Sequence, residues 1–198
     1  MPEGVRPLRA DAARKREQVV AAAGEELADL AVAARNGEPI RLSLDKVAAR
    51  ARVGVATLYR HFPTREALLE AVYHQELARL CEAAPDLAAG APADEALLTW
   101  MRRYLDFVDS KRAMGADLRT MVASGAITQT DTRARLTAAV EPFLARGTAA
   151  GIFRSDVLPG DVVAAMAGAV FAADPTQQRE QTERLLALLI DGLSCTSR

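Results

Sequence analysis

An all-α fold is predicted for this chain of 198 residues, on three observations. Half of the residues are hydrophobic while only 5% are aromatic, and the strong helix formers Ala, Leu, Arg and Glu dominate the composition. Apolar residues recur at spacings of three and four through most of the sequence, the period of one helix face. No alternating run of β-branched residues is long enough for a convincing strand. The pattern parses into about nine helices.

Taken in order, the residues through about Leu8 carry Pro2, Gly4 and Pro7 and predict a loose, basic arm. A first helix is expected from about Asp11 to Ala34, with Val19, Val20, Ala23, Leu27, Leu30 and Ala31 on its apolar face and Gly24 as an interior weak point. Asn36-Gly37 ends it. Ser43 can cap a second helix in which Leu44, Val47, Ala48 and Ala51 recur at helical spacing. A tight turn near Arg52 to Gly54 leads to a short third helix, roughly Val55 to Arg60, that leaves Leu58 and Phe62 to pack inward. Pro63 stops this helix, and Thr64 starts a fourth that runs to Ala84 with Leu68, Leu69, Val72, Leu77 and Leu80 as core candidates.

The segment from Pro85 to Pro92 interrupts the helical pattern at both ends and is the expected junction between a domain at 1–84 and one at 85–198. Five further helices are expected near Ala93 to Ser110, Ala113 to Ser124, Gln129 to Gly151, Pro159 to Phe171 and Pro175 to Leu193. Pro142, inside the third of these, removes a backbone donor and predicts a kink.

The net charge of −1 excludes a generally basic coat for nucleic acid, but the average hides a local concentration. Arg41, Lys46, Arg50, Arg52, Arg60 and Arg65 stand against the single acid Asp45 between residues 41 and 65, a local net of +5. Cys81 and Cys195 lie far apart without CxxC or Cys/His ligand spacing, so a structural zinc site is not predicted. No signal-peptide core and no apolar stretch of about 18 residues is present, which predicts a cytoplasmic protein with no membrane role. With two histidines and no Ser/His/Asp or Cys/His arrangement of familiar spacing, neither an enzyme nor a cofactor is expected.

The basic segment coincides with the helix, turn and helix of Leu42 to Glu66, LSLDKVAARARVGVATLYRHFPTRE. That coincidence favours phosphate contact over a merely solvated charged face. The run VGVATLYRHFPTREALLEAV from Val53 to Val72 closely resembles the tetracycline repressor (TetR) family of transcriptional regulators. More loosely, WMRRYLDFVDSKRAMGADLRTM from Trp100 to Met121 resembles the SbtR-like class of C-terminal domains. The resemblance implies an N-terminal three-helix helix-turn-helix domain joined by a fourth helix to a helical ligand-binding and dimerisation domain.

It also implies roles. Thr57, Tyr59 and His61 match positions that commonly bind phosphates in the family, with Arg60 beside them and Arg65 at the basic position of the next helix start. Val55 and Ala56 at the start of the recognition helix, with Ser43 and Lys46 from the helix before it, would read bases of a double-stranded operator. The lead-in Arg14-Lys15-Arg16 lies where the first helix often approaches the backbone. Arg52 departs from the pattern, standing where a glycine commonly opens the turn. In the second domain, Trp100, Tyr104, Phe107, Met121, Phe143, Met166 and Phe171 are candidates to line a pocket for a partly apolar small-molecule effector, although core packing explains the same stripe. The last two helices, with Ala164, Ala165, Gly168, Ala169 and Ala172 on one and Leu185, Leu186, Leu189, Ile190 and Leu193 on the other, imply a homodimer. The expected function is therefore a ligand-responsive homodimeric repressor on a pseudo-palindromic operator. The alternatives are an all-α enzyme, a redox or metal sensor using His74 and Cys81, and a protein-interaction module that does not touch DNA.

Overall fold

The computed structural model describes residues 5–35, 41–174 and 178–195, and over these the chain is helical apart from turns and one isolated antiparallel bridge between Phe153 and Ser194. In order the helices are α1 (Val5–Arg35), α2 (Leu44–Arg50), α3 (Val55–His61), α4 (Arg65–Glu82), α5 (Ala84–Gly90), α6 (Ala93–Ala113), α7 (Ala116–Ala123), α8 (Gln129–Ala149), α9 (Pro159–Ala172) and α10 (Gln178–Leu193). Nine of these answer the expected elements, and α5 is an addition. The Pro85 to Pro92 segment, read as a loop, forms a short helix because Pro85 falls in its first turn, where proline has no helix bond to break. Helix α1 likewise begins at Val5 rather than near Asp11, with Pro7 in its first turn. Helix α8 continues through Pro142 without a break. The Asn36-Gly37 stop, Pro2, Gly4 and Pro175 lie outside the described residues.

Two compact units emerge, and they interleave in sequence. One comprises Met1–Glu76 and Val108–Ile127, the other Leu77–Phe107 and Thr128–Arg198. In the first, Val19, Val20, Ala23 and Leu27 of α1 are buried together with Val47 and Ala48 of α2, Leu58 of α3, Phe62, and Leu68, Leu69 and Val72 of α4. Burying each such side chain contributes roughly 1.5 to 3 kcal/mol, so this core dictates how α3 is presented. Gly24 is explained by packing: a Cβ there would stand 3.3 Å from Glu76 Oε1 and 3.8 Å from Val72 Cγ1, so glycine lets α4 approach α1 closely.

In the second unit α8 packs against α5 and α9, and α9 against α10. Trp100 is fully buried, donates its indole N–H to the Leu80 carbonyl at 2.9 Å and lies 5.9 Å from the Phe143 ring. The C-terminal end is tied down by backbone bonds from Arg154 N–H to Leu193 O and from Cys195 N–H to Ile152 O. Arg179 of α10 reaches Asp106 of α6 at 2.9 Å.

The turn after α2 shows what Arg52 does. Val53 N–H donates to Ala48 O and Arg52 N–H to Ala49 O, the paired bonds of a Schellman motif, and Arg52 occupies its left-handed position at φ 55°. Helix α8 closes with the same pair of bonds, from Ile152 N–H to Gly147 O and from Gly151 N–H to Thr148 O, but there the left-handed residue is a glycine. The left-handed conformation costs a non-glycine residue about 1 to 2 kcal/mol, while glycine loses about 0.5 to 1 kcal/mol more entropy on folding. Arg52→Gly is therefore expected to raise stability by roughly 0.5 to 1 kcal/mol, the difference of those terms, measured by thermal or urea unfolding. No gain would mean that the arginine side chain offsets its own strain.

Candidate nucleic-acid interface

The interface is built on α2, the Arg52 turn and α3. Ser43 caps α2 in extended conformation, its hydroxyl accepting the Lys46 N–H at 3.3 Å. Gly54 opens α3, its carbonyl accepting the N–H groups of Thr57 and Leu58. Leu58 and, just beyond the helix, Phe62 point into the core, which forces the opposite surface outward. That outer face carries Val55 and Tyr59, 39% and 48% exposed, together with the exposed Ala56 and Arg60. Thr57 and His61 flank it, half-buried. Thr64 then starts α4, its hydroxyl accepting the Ala67 N–H at 3.1 Å.

The basic charge of the segment is partly spent inside the protein. Arg50 reaches Asp29 at 2.7 Å, Glu26 at 3.4 Å and Glu25 at 3.9 Å, and the Asp29 carboxylate raises its already high pKa. Lys46, although largely exposed, has its ammonium 3.7 Å from the buried Glu26 carboxylate. Both cations lie one turn apart on the side of α2 that meets α1, so they join these helices as well as adding positive charge. Arg65 departs most from expectation: it donates to Asp117 and to the Leu42 carbonyl, each at 2.8 Å, which makes it an internal tether. None of these acids was marked by the sequence, because they stand between 20 and 52 positions away and no local spacing links them.

In the N-terminal half of α1, Arg14 and Lys15 share the Asp11 carboxylate at 2.6 and 2.7 Å, and Lys15 and then Arg14 hold that carboxyl below its ordinary pKa. Exposed pairs of this kind are weak because water and salt screen them, so a phosphate can displace the carboxylate at little cost. Arg16 lies 4.9 Å over the Phe62 ring and braces the end of α3.

The effector candidates divide between the two units. Trp100, Tyr104, Phe107, Phe143 and Met166 are buried in the second unit, and Met121 is buried in the first. Phe171 is 92% exposed. It sits five residues beyond Met166 on α9, a step that carries it away from the buried face of Val162, Val163 and Met166. Phe171 therefore points away from the buried stripe, and Met121 lies in a different unit from the other candidates. The sensor candidates, seven residues apart on α4, have different neighbours: His74 stacks edge-on against Tyr73, while the Cys81 thiol points to the Arg135 carbonyl and burial pushes its pKa up. A half-buried thiol whose pKa is raised in this way is a poorer nucleophile than a free one. Among the described residues no group of three or more His, Cys, Asp or Glu could hold a metal ion, and no helix is long and apolar enough to cross a membrane.

Comparison with known proteins decides the lineage of this architecture. The family model for bacterial regulatory proteins of the tetR family matches residues 39–72, and that for the SbtR-like transcriptional regulator C-terminal domain matches residues 92–195, more than half of the chain. The chain belongs to the TetR family. It is 41% identical to a TetR transcriptional regulator from Streptomyces coelicolor, over 92% of this chain and 99% of that one, with a TM-score of 0.76. A TetR regulatory protein from Mycobacterium vanbaalenii is 29% identical over 96% and 100% of the two chains, with a TM-score of 0.67. A third solved structure, described as the molecular basis for control of antibiotic production by bacterial hormones, is 25% identical over 91% and 97%, with a TM-score of 0.62. No curated protein matches the chain. This TetR-family protein is a DNA-binding transcriptional regulator. Regulators of the family are generally not enzymes.

Proposed function

We propose that the chain is a homodimeric repressor whose second unit binds a small, largely apolar effector and thereby weakens binding to a pseudo-palindromic operator. In this reading the first unit, with α7 added to the expected 1–84 domain, carries DNA reading, and the second unit carries effector binding and dimerisation. The observation that carries the proposal is the exposed apolar side of α9. Ala164, Ala165, Gly168 and Ala172 face solvent beside Phe171, and nothing lies within 4 Å of a Cβ built at Gly168. On α10, Leu188 is 64% exposed, whereas Leu186, Ile190 and Leu193 are already buried within the chain. An exposed small-residue face with protruding Phe and Leu side chains suits close helix contact with a second copy.

Thr57, Tyr59, His61 and Arg60 would hold phosphates, and Val55 and Ala56 would pack against thymine methyls, since neither can make a bidentate contact to a purine. Ser43 and Lys46 would reach bases only by leaving their cap and acid partners, which assigns them a smaller share. The effector is expected to meet Trp100, Tyr104, Phe107, Phe143 and Met166, whose apolar character sets its chemistry. The hormone control described for the third structural relative supports a ligand-responsive reading, and direct action on DNA supports a cytoplasmic location.

Recovery of genomic DNA bound by the protein, followed by titration of the recovered duplex, tests the DNA reading. Light scattering tests the dimer. A dimer at micromolar concentration is expected, and Phe171→Asp is expected to convert it to a folded monomer with weaker operator binding. A wild-type protein that is strictly monomeric would overturn the interface.

A further inference from the structure

We infer that Asp117, on α7 and far in sequence from the recognition helix, is a positioning residue for DNA reading that acts through the Arg65 guanidinium. The inference rests on the DNA-reading role of α3. Arg65 opens α4 directly after the Phe62-Pro63-Thr64 turn that ends α3. Its Nε donates to Asp117 Oδ2 and its Nη1 to the Leu42 carbonyl, each at 2.8 Å. The two charged side chains are 29% and 24% exposed, and Leu42 is buried immediately before the Ser43 cap of α2.

One rigid, planar cation thus joins three chain segments: the residue leading into α2, the start of α4, and α7. The first two bracket α3 on either side, so the guanidinium fixes the frame from which the recognition helix projects. Asp117 belongs to that frame, since residues Val108–Ile127 cluster with Met1–Glu76. The two directed bonds use the fork geometry of arginine, and a lysine ammonium cannot reproduce it. Asp117 also accounts for an arginine at the motif's basic position turning inward, because a partly buried carboxylate at 2.8 Å holds it more firmly than a solvent-screened partner would.

The alternative role for Arg65, direct contact with a phosphate, predicts the opposite response. If Arg65 served DNA, Asp117 would compete with phosphate for it. Asp117→Asn would then tighten binding and steepen its salt dependence by about 0.9 in the slope of log K against log salt. If Asp117 positions the frame, Asp117→Asn weakens binding about tenfold at fixed salt and leaves the slope unchanged, because a charge-assisted bond is lost but no phosphate contact.

The probe is a duplex selected by the wild-type protein from a random-sequence library, titrated by fluorescence anisotropy over a range of salt. Asp156→Asn, which removes the same charge from an exposed site in the other unit, is the control and should bind as wild type. Arg65→Lys should reproduce the loss, and the double variant Arg65→Lys/Asp117→Asn should lose no more than either single change, since both break one tether. Unchanged or tighter binding by Asp117→Asn overturns the inference. Should Asp117→Asn fail to fold, Arg65→Lys decides alone: weaker binding at constant slope supports positioning, whereas unchanged affinity or a slope reduced by about one phosphate overturns it. Failure of the wild-type protein to select any duplex would instead sink the DNA reading itself.

Discussion

Gly147→Ala is expected to destabilise the second unit by about 3 kcal/mol, at the top of the overpacking range, and to lower the melting temperature by roughly 6 to 12 °C. A Cβ at position 147 would overlap Phe153 Cδ2 and stand 2.7 Å from Cε2 and Cγ, so something must move. The ring has little freedom to do so. Phe153 is 2% exposed, its N–H donates to the Gly147 carbonyl at 3.1 Å, and it pairs with Ser194 in the bridge that anchors the end of α10. Displacing it would loosen both the close of α8 and the C-terminal tie. Gly192→Ala is the control of opposite sign. Nothing lies within 4 Å of its Cβ, so the better helix propensity of alanine should add up to about 1 kcal/mol. Calorimetry of the two variants checks both signs, and an unshifted melting point for Gly147→Ala would show that the ring can retract freely.

Tyr59→Ala is expected to abolish most specific DNA binding while leaving the fold intact. Tyr59 is 48% exposed on the outer face of α3, so its removal opens no cavity. Its hydroxyl can donate to a phosphate oxygen, and a hydrogen bond to a charged group contributes about 1.5 to 3 kcal/mol, some tenfold to a hundredfold in affinity. Tyr59→Phe separates the hydroxyl from the ring: if the contact is the hydrogen bond, Phe should lose nearly as much affinity as Ala. The neighbouring Leu58, fully buried, should respond differently, since Leu58→Ala costs about 2 to 5 kcal/mol of stability and lowers binding only through unfolding. Anisotropy titration with parallel circular dichroism distinguishes the two. Full affinity of both Tyr59 variants would remove the residue from the interface.

The legible features of this protein are those with short-range causes. Ser43 and Thr64 were readable as helix caps because each bonds a backbone N–H three residues ahead. Leu58 and Phe62 were readable as inward because they fall four apart, on α3 and at its C-terminal cap, and the same spacing put Val55 and Tyr59 outside. Arg52 was legible as an anomaly, a side chain where glycine is usual, but only the bonds from Arg52 and Val53 back to Ala49 and Ala48 show that the turn kept its left-handed shape.

Helix α5 was missed because proline was taken as a breaker where it stood in a first turn. Phe171 was placed inside because an aromatic residue near a buried stripe invites that reading, although its offset from Met166 turns it outward.

Helix periods, caps, the recognition helix and membership of the TetR family follow from the chain alone, since each depends on residues within about a turn of one another or on an unbroken motif. The fate of the charges does not. Whether Arg50 and Arg65 meet phosphate or carboxylate depends on which acids the fold brings within 3 Å of them, Asp29 from 21 positions away and Asp117 from 52. Tertiary packing also set the membership of residues 108–127 in the unit that holds α3 and the need for glycine at 147, because both arise where segments distant in sequence compete for the same few ångströms.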